Sequence, residues 1–237
     1  MPMSAPVGNR SEPETDRIRT YAGRHGRLSA LTRDRLDRYL PARALPPGPL
    51  VPVEAFGRQA PVVLDVGCGH GAAAIAYAST HPMHDVLAVD VHVPGMARLL
   101  AASDVAGVAN MRVEIGDAVA LLTDRVKPGQ LAAVHLFFPD PWPKLKHAKR
   151  RFVRASTLDL LASRLVTGGY VLIATDQPAY AEHVRTEVRA HGGFVVLDAP
   201  RPAWRPMDGF ERKGMAAGRT VVDLRLDVRD PAKRFAP

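Results

Sequence analysis

From about residue 61 onward, short apolar runs alternate with stretches of helical spacing. The runs 62–66, 86–91, 111–115, 131–138, 170–175, 194–197 and 221–228 predict strands. Between them, 72–80, 95–105, a short stretch after Asp117, 152–165 and 178–191 predict helices. Apolar strands alternating with helices build a doubly wound α/β fold, here a mostly parallel seven-stranded sheet with helices on both faces. Such sheets bind ligands at the carboxyl ends of their strands, where strand order reverses. The segment 65–71 and the acids Asp90, Asp117, Asp140 and Asp176 all fall at or just after predicted strand ends.

Upstream of this core the pattern is different. Residues 1–16 are rich in Pro, Ser and Glu and read as a flexible leader. Residues 17–60 form a basic N-terminal extension with one short predicted helix at 31–39 and a Pro-rich stretch at 41–52. The core domain spans 61–237. The 237 residues are 46% hydrophobic and 24% charged, which suits a folded globular domain. A single cysteine, Cys68, excludes an intrachain disulfide framework and a multi-cysteine metal site, and no metal is expected. No apolar run approaches the roughly 18–20 residues that span a bilayer, and no membrane partner is expected. The N-terminal residues carry acids and lack the apolar core of a secretory signal, so the expected location is the cytoplasm. The net charge of +8 favours a polyanionic partner, nucleic acid before membrane, because no basic amphipathic helix stands out.

The first strand run leads into Asp65-Val66-Gly67-Cys68-Gly69-His70-Gly71. Glycines there let the chain turn tightly and a ligand approach backbone. The spacing Gly67-x-Gly69-x-x-Ala72, with Asp90 further on, also permits a dinucleotide reading. Two acids argue against it. Asp65 would repel a pyrophosphate, and Asp117 is set to accept from an adenine amino group. A cationic ligand without phosphate suits such a pocket, and S-adenosylmethionine, with its ammonium and sulfonium, is one. Asp65 then serves the amino-acid end through backbone and water, Asp90 the ribose hydroxyls and Asp117 the adenine edge. The competing structural reading is that these acids cap helices. Cys68 reads as a small loop residue rather than a nucleophile, because nothing nearby in sequence activates it.

The fourth run ends in Phe137-Phe138-Pro139-Asp140-Pro141-Trp142-Pro143-Lys144. The prolines restrict the backbone that delivers Asp140, and Trp142 offers a wall for a flat acceptor. Between Asp140 and Arg154 lie six basic residues, Lys144, Lys146, Lys149, Arg150, Arg151 and Arg154, against one acid, so the stretch carries +5. A basic cluster beside a pocket favours a phosphodiester backbone, and a solvated loop face is the alternative.

At these residues the sequence resembles the tRNA (guanine-N7-)-methyltransferase family. The resemblance runs from about Arg24 to Leu226. Its markers are the 64–71 loop, the 137–144 segment with the basic residues after it, Ala174-Thr175-Asp176 with Tyr180-Ala181, and the 201–214 segment. It implies a Rossmann-like class I fold, S-adenosylmethionine as methyl donor and tRNA as partner. Carried over by position, it implies that Asp65, Gly67, Gly69, Gly71, Asp90, Asp117 and Asp140 line the donor site, with Asp140 also catalytic. It implies that Lys144, Asp176 and the run Asp208, Gly209, Phe210, Glu211 meet the RNA. Two departures stand out. The family often has Glu at Asp65 and sometimes at Asp90, and its Thr-Lys-Phe-Glu is here Asp208-Gly209-Phe210-Glu211.

The implied reaction is methyl transfer to N7 of a guanine in the tRNA variable loop. Reaching that base requires exposing it from its stack, and Trp142, Phe210 and Trp204 are candidates to hold it, although Trp204 reads first as a core or cover aromatic. Glu211 could accept from a guanine edge or pair with Arg212 or Lys213. Other readings are methylation of an exocyclic amino group on another RNA or a protein, an inactive methyltransferase-like RNA-binding protein, and an NAD-dependent oxidoreductase.

Overall fold

The computed structural model describes residues 27–207 and 209–229. The helices are α1 (Ala30–Arg43), α2 (Pro52–Phe56), α3 (Ala72–Thr80), α4 (Val93–Val105), α5 (Ala118–Asp124), α6 (Ala155–Arg164), α7 (Pro178–His191) and α8 (Gly209–Ala216). The strands are β1 (Val62–Val66), β2 (Asp85–Asp90), β3 (Met111–Ile115), β4 (Leu131–Phe137), β5 (Leu165–Thr175), β6 (Phe194–Asp198) and β7 (Val222–Val228). A 3₁₀ turn spans Leu145–Arg150.

All seven strands join one sheet in the order β3-β2-β1-β4-β5-β7-β6. The first five in that order pair in parallel, and β7 is antiparallel to both β5 and β6. The chain steps outward from β1 to β3, then returns to place β4 on the other side of β1. Strand order therefore reverses between β1 and β4. The glycine loop leaves β1 and the aromatic–proline segment leaves β4, so both open into the crevice that this reversal creates.

β1 is buried along its whole length because helices cover both faces. Leu64 and Val66 pack with Leu87, Val134, Leu136, Leu158, Ile173 and Val184 on one face. Val63 packs with Ala74, Tyr77, Ala88, Met96, Leu99 and Leu100 on the other. The described part of the N-terminal extension is tied into this core. α1 lies along α4, Leu45 N donates to Val113 O at 2.9 Å, and Leu45 and Leu50 are buried.

Several boundaries differ from the sequence pattern for local reasons. α1 runs past the expected 31–39, starting where Ser29 Oγ accepts from Thr32 N and carrying Pro41 in its last turn. The expected helix 152–165 begins at Ala155, because Arg154 is extended and Phe152 and Val153 are buried in the core. β5 begins at Leu165, five residues before the expected 170, since Gly168 (φ +77°) and Gly169 carry the chain past β4. A Cβ on Gly169 would stand 3.1 Å from Ala132 O. α2, the 3₁₀ turn and α8 were not marked by the apolar pattern. The leader 1–16 lies outside the described residues. No helix among the described residues is long and apolar enough to cross a membrane.

Candidate active site

The glycine loop turns directly off β1. Gly67 and Gly69 both have positive φ, and a Cβ at either would meet nothing within 4 Å, so their backbone borders open space. Gly69 N donates to Asp90 Oδ2 at 2.8 Å, and His92 N donates to Asp90 Oδ1 at 2.7 Å. Asp90 thus pins the loop to the end of β2, and each oxygen retains a lone pair for a hydroxyl. Gly71 caps α3 at φ +78° and packs so closely on Leu99 that a Cβ would lie 2.3 Å from Leu99 Cγ.

Asp65 is 2% exposed, and its Oδ2 is buried with no hydrogen-bond partner. Burial, with the Asp90 carboxylate adding to it, pushes the Asp65 carboxyl up to about 8. A buried carboxylate oxygen without a donor is costly unless a ligand supplies one. Beside an open glycine backbone this arrangement fits the ammonium end of S-adenosylmethionine. Cys68 adds no nucleophile: burial first, then Asp65 and Asp90, push its thiol well above the usual range.

Asp117 is the N-cap of α5, its Oδ1 accepting from Val119 N at 2.7 Å and Ala120 N at 3.1 Å. The capping role weighed in the sequence is therefore real, and it fills one carboxylate oxygen. Gly116 N donates to Asp90 O at 3.1 Å, which holds the Asp117 turn beside the glycine loop.

The aromatic–proline segment is held in an unusual backbone. Phe138 (φ +51°) and Trp142 (φ +40°) both take left-handed conformations, and each precedes a proline. Phe138 N donates to Ala174 O at 2.7 Å. Arg151 donates to Pro141 O at 3.1 Å and Trp142 O at 3.2 Å, and the Arg150 guanidinium lies 3.8 Å from the Trp142 ring centroid. Asp140 itself is exposed at the tip. It comes near enough to Tyr180 of α7 to raise that phenol, whose upward shift comes mainly from burial. The basic run therefore divides. Arg150 and Arg151 hold the loop and Arg154 donates to Lys149 O at 3.1 Å, while Lys144, Lys146 and Lys149 are exposed.

The C-terminal segment folds back over the ends of β4 and β5. Asp176, directly after β5, accepts from Arg219 Nε at 2.8 Å, and α8 approaches it so closely that a Cβ on Gly214 would stand 2.8 Å from Asp176 Oδ2. Glu211 on α8 is 2% exposed and accepts from Arg201 Nε at 2.9 Å and Arg205 Nη1 at 3.3 Å. The expected pairing with Arg212 or Lys213 is thus replaced by pairs with Arg201 and Arg205, because α8 turns Glu211 inward. Arg205 also reaches both oxygens of Asp223 on β7, at 2.9 and 3.1 Å. Gly209 begins α8 and Phe210 follows it in the helix. Asp208 lies outside the described residues.

Sequence reasoning missed His135 on β4, which is 1% exposed and has no partner for either ring nitrogen. It pairs in register with Asp65 across β1 and β4 and stacks on Trp204 at 5.1 Å. Trp204 also meets Tyr77 edge-on at 4.8 Å, so it belongs to the core of this face. Burial, with His81 and His84 nearby, lowers His135 to about 3. Arg201, Arg205 and Asp223 were also missed as partners, and only the inward turn of α8 identifies them.

A family profile described as "Putative methyltransferase" matches residues 59–224. The tRNA (guanine-N(7)-)-methyltransferase of Sodalis glossinidius is 40% identical over 215 residues, covering 88% of this chain and 90% of that protein. The chain belongs to the tRNA (guanine-N(7)-)-methyltransferase family. The Streptomyces avermitilis member is 39% identical, covering 100% of this chain and 84% of its own. Among solved structures, a 16S rRNA (adenine(1408)-N(1))-methyltransferase from Catenulisporales acidiphilia superposes with a TM-score of 0.55 at 22% identity, over 80% of this chain and 98% of that one. At that identity the likeness shows the class I methyltransferase fold, which the strand order already displays. Within the family fold, the crevice between β1 and β4 gathers Asp65, Gly67, Gly69 and Asp90, and the loop bearing Asp140 opens onto it.

Proposed function

We propose that this chain transfers the methyl group of S-adenosylmethionine to N7 of a guanine in the variable loop of tRNA, in the cytoplasm. The family relationship makes it an S-adenosylmethionine-dependent methyltransferase, and tRNA is the substrate its relatives are named for. The observation that carries the reading is the buried, unpartnered Asp65 Oδ2 beside the open Gly67–Gly69 backbone, at the same strand reversal as the Asp140 loop. S-adenosylmethionine, when bound, supplies an electrophilic methyl on a sulfonium. Asp65 receives the ammonium, Asp90 the ribose hydroxyls, and the remaining oxygen of Asp117 the adenine edge.

Ring nitrogen 7 of guanine offers an in-plane lone pair and has no proton to lose. The protein therefore needs no strong base, and its work is positioning and electrostatics. Asp140, exposed at the tip of a proline-restricted loop, stabilises the positive charge that grows on the base. Lys144, Lys146 and Lys149 follow it in the chain, exposed and free of the loop-holding bonds that Arg150 and Arg151 make, and serve the phosphate backbone. Asp140→Ala should cut turnover at saturating tRNA by about tenfold or more while leaving the donor dissociation constant within about twofold. Unchanged turnover with a raised donor constant would reduce Asp140 to a binding residue.

A further inference from the structure

We infer that Glu211 acts on the reaction through Arg205 as a positioning pair for the Asp140 loop. This rests on the methyltransferase reading above. Arg205 is 2% exposed on its side chain, and Glu211 is 3%. Arg205 binds Glu211 of α8 through Nη1 and Asp223 of β7 through Nη2, and Arg201 holds Glu211 from the other side. Its guanidinium carbon lies 5.2 Å from the Phe137 ring centroid and 5.5 Å from that of Phe138.

That contact places Arg205 against the base of the catalytic loop. Phe138 carries the left-handed φ, and Asp140 is two residues on, between the fixed φ angles of Pro139 and Pro141. A loop so restricted has little slack, so a shift of the Phe138 ring displaces the Asp140 carboxylate. Arg151 clamps the far side of the same loop at Pro141 O and Trp142 O. The loop is therefore gripped by three arginines, Arg150 and Arg151 from the chain after it and Arg205 from the C-terminal segment.

Burying Arg205 and Glu211, with Asp223 largely covered beside them, is a poor route to stability, because apolar side chains of similar size would fill the space at lower desolvation cost. A buried ionic network does fix geometry. Asp223 and Glu211 set the plane of the Arg205 guanidinium, which lies against the rings of Phe137 and Phe138. Glu211 is held inward by two arginines, which fixes the direction of its carboxylate. α8 thus couples to catalysis through the strand end.

The test compares wild type, Glu211→Gln, Arg205→Lys and the double variant by native-state hydrogen exchange and by single-turnover methyl transfer to unmodified tRNA. Each single variant should speed exchange of the Phe138 amide, which is bonded to Ala174 O, by about tenfold. Each should lower the rate at saturating donor and tRNA by about tenfold, with both dissociation constants within about twofold. The double variant should be no slower than the worse single one, since both break the same link. Phe138→Leu leaves the ion pairs in place and should reproduce the rate loss, which covers the case of an unfolded Arg205→Lys. Exchange changes confined to 201–223, multiplying rate losses, or a Glu211→Gln defect lying in tRNA affinity would each overturn the inference. Exchange needs no substrate, so a failure of this inference is distinct from a wild type that methylates no tRNA.

Discussion

Binding of the donor's amino-acid end should expel a proton from Asp65. Burial and the neighbouring Asp90 carboxylate raise Asp65 to about 8, while Cys68 stays protonated and His135 across the strand stays neutral. With that value, roughly nine in ten molecules carry a proton on Asp65 at about pH 7. An ammonium placed against Oδ2 favours the carboxylate. Binding should then release about 0.9 proton at about pH 7, about 0.5 at about pH 8 and almost none above about pH 9.5. The apparent dissociation constant should fall about fivefold from about pH 7 to about pH 8. S-adenosylhomocysteine keeps the ammonium and lacks the reactive methyl, so it is the suitable probe. Titration calorimetry in phosphate and in Tris buffers counts the protons, because the two buffers differ in ionisation enthalpy. Asp65→Asn should bind more weakly and release none. The sign for stability follows from the same shift: the unfolded carboxyl ionises near 3.8, so stability falls by up to about 1.4 kcal/mol per pH unit as pH climbs from about 4 to about 8, then levels off. Equal enthalpies in both buffers at about pH 7, or unchanged release in Asp65→Asn, would refute this reasoning.

His135 works in the opposite direction: the unfolded imidazole protonates near 6.5 while the buried one resists to about 3, so stability should fall as pH drops through that window. His135→Leu should flatten this acid limb in urea titrations, and an unchanged limb would contradict it. Replacing Lys144, Lys146 and Lys149 together with Ala should reduce the salt slope of tRNA binding by up to about three and leave donor binding alone. An unchanged slope would show that these lysines meet no phosphate. Gly71→Ala should cost about 2 kcal/mol or more in chemical denaturation, since the new Cβ takes a positive φ and runs into Leu99. A loss below about 0.5 kcal/mol would mean that α3 and α4 yield easily there.

Much of the sheet was legible because each strand is a short apolar run bounded by turn residues. The bounds of β1 and β3 coincide with the runs 62–66 and 111–115. An apolar run carries no direction, so nothing in 221–228 revealed that β7 runs antiparallel between β5 and β6. The glycine loop and Asp65 were legible from residue type, since a carboxylate beside three glycines is chemically distinctive. Asp117 was not, because capping a helix and reading an adenine ask for the same side chain in the same place. The run after Asp140 shows the limit of counting charge: Arg150 spends its guanidinium on Trp142 and Arg151 on two carbonyls, and sequence cannot separate them from the exposed lysines. α8 is anchored by Glu211 in an ion network, a long-range contact that leaves no local period.

The most direct measurement is methyl transfer from labelled S-adenosylmethionine to unmodified tRNA, followed by borohydride and aniline cleavage, which cuts the chain at 7-methylguanine. A single cut in the variable loop, accompanied by one methyl group per tRNA, is the predicted result. Label in the tRNA without cleavage would move the acceptor to another atom, and donor binding with no transfer to tRNA would contradict the assignment of substrate.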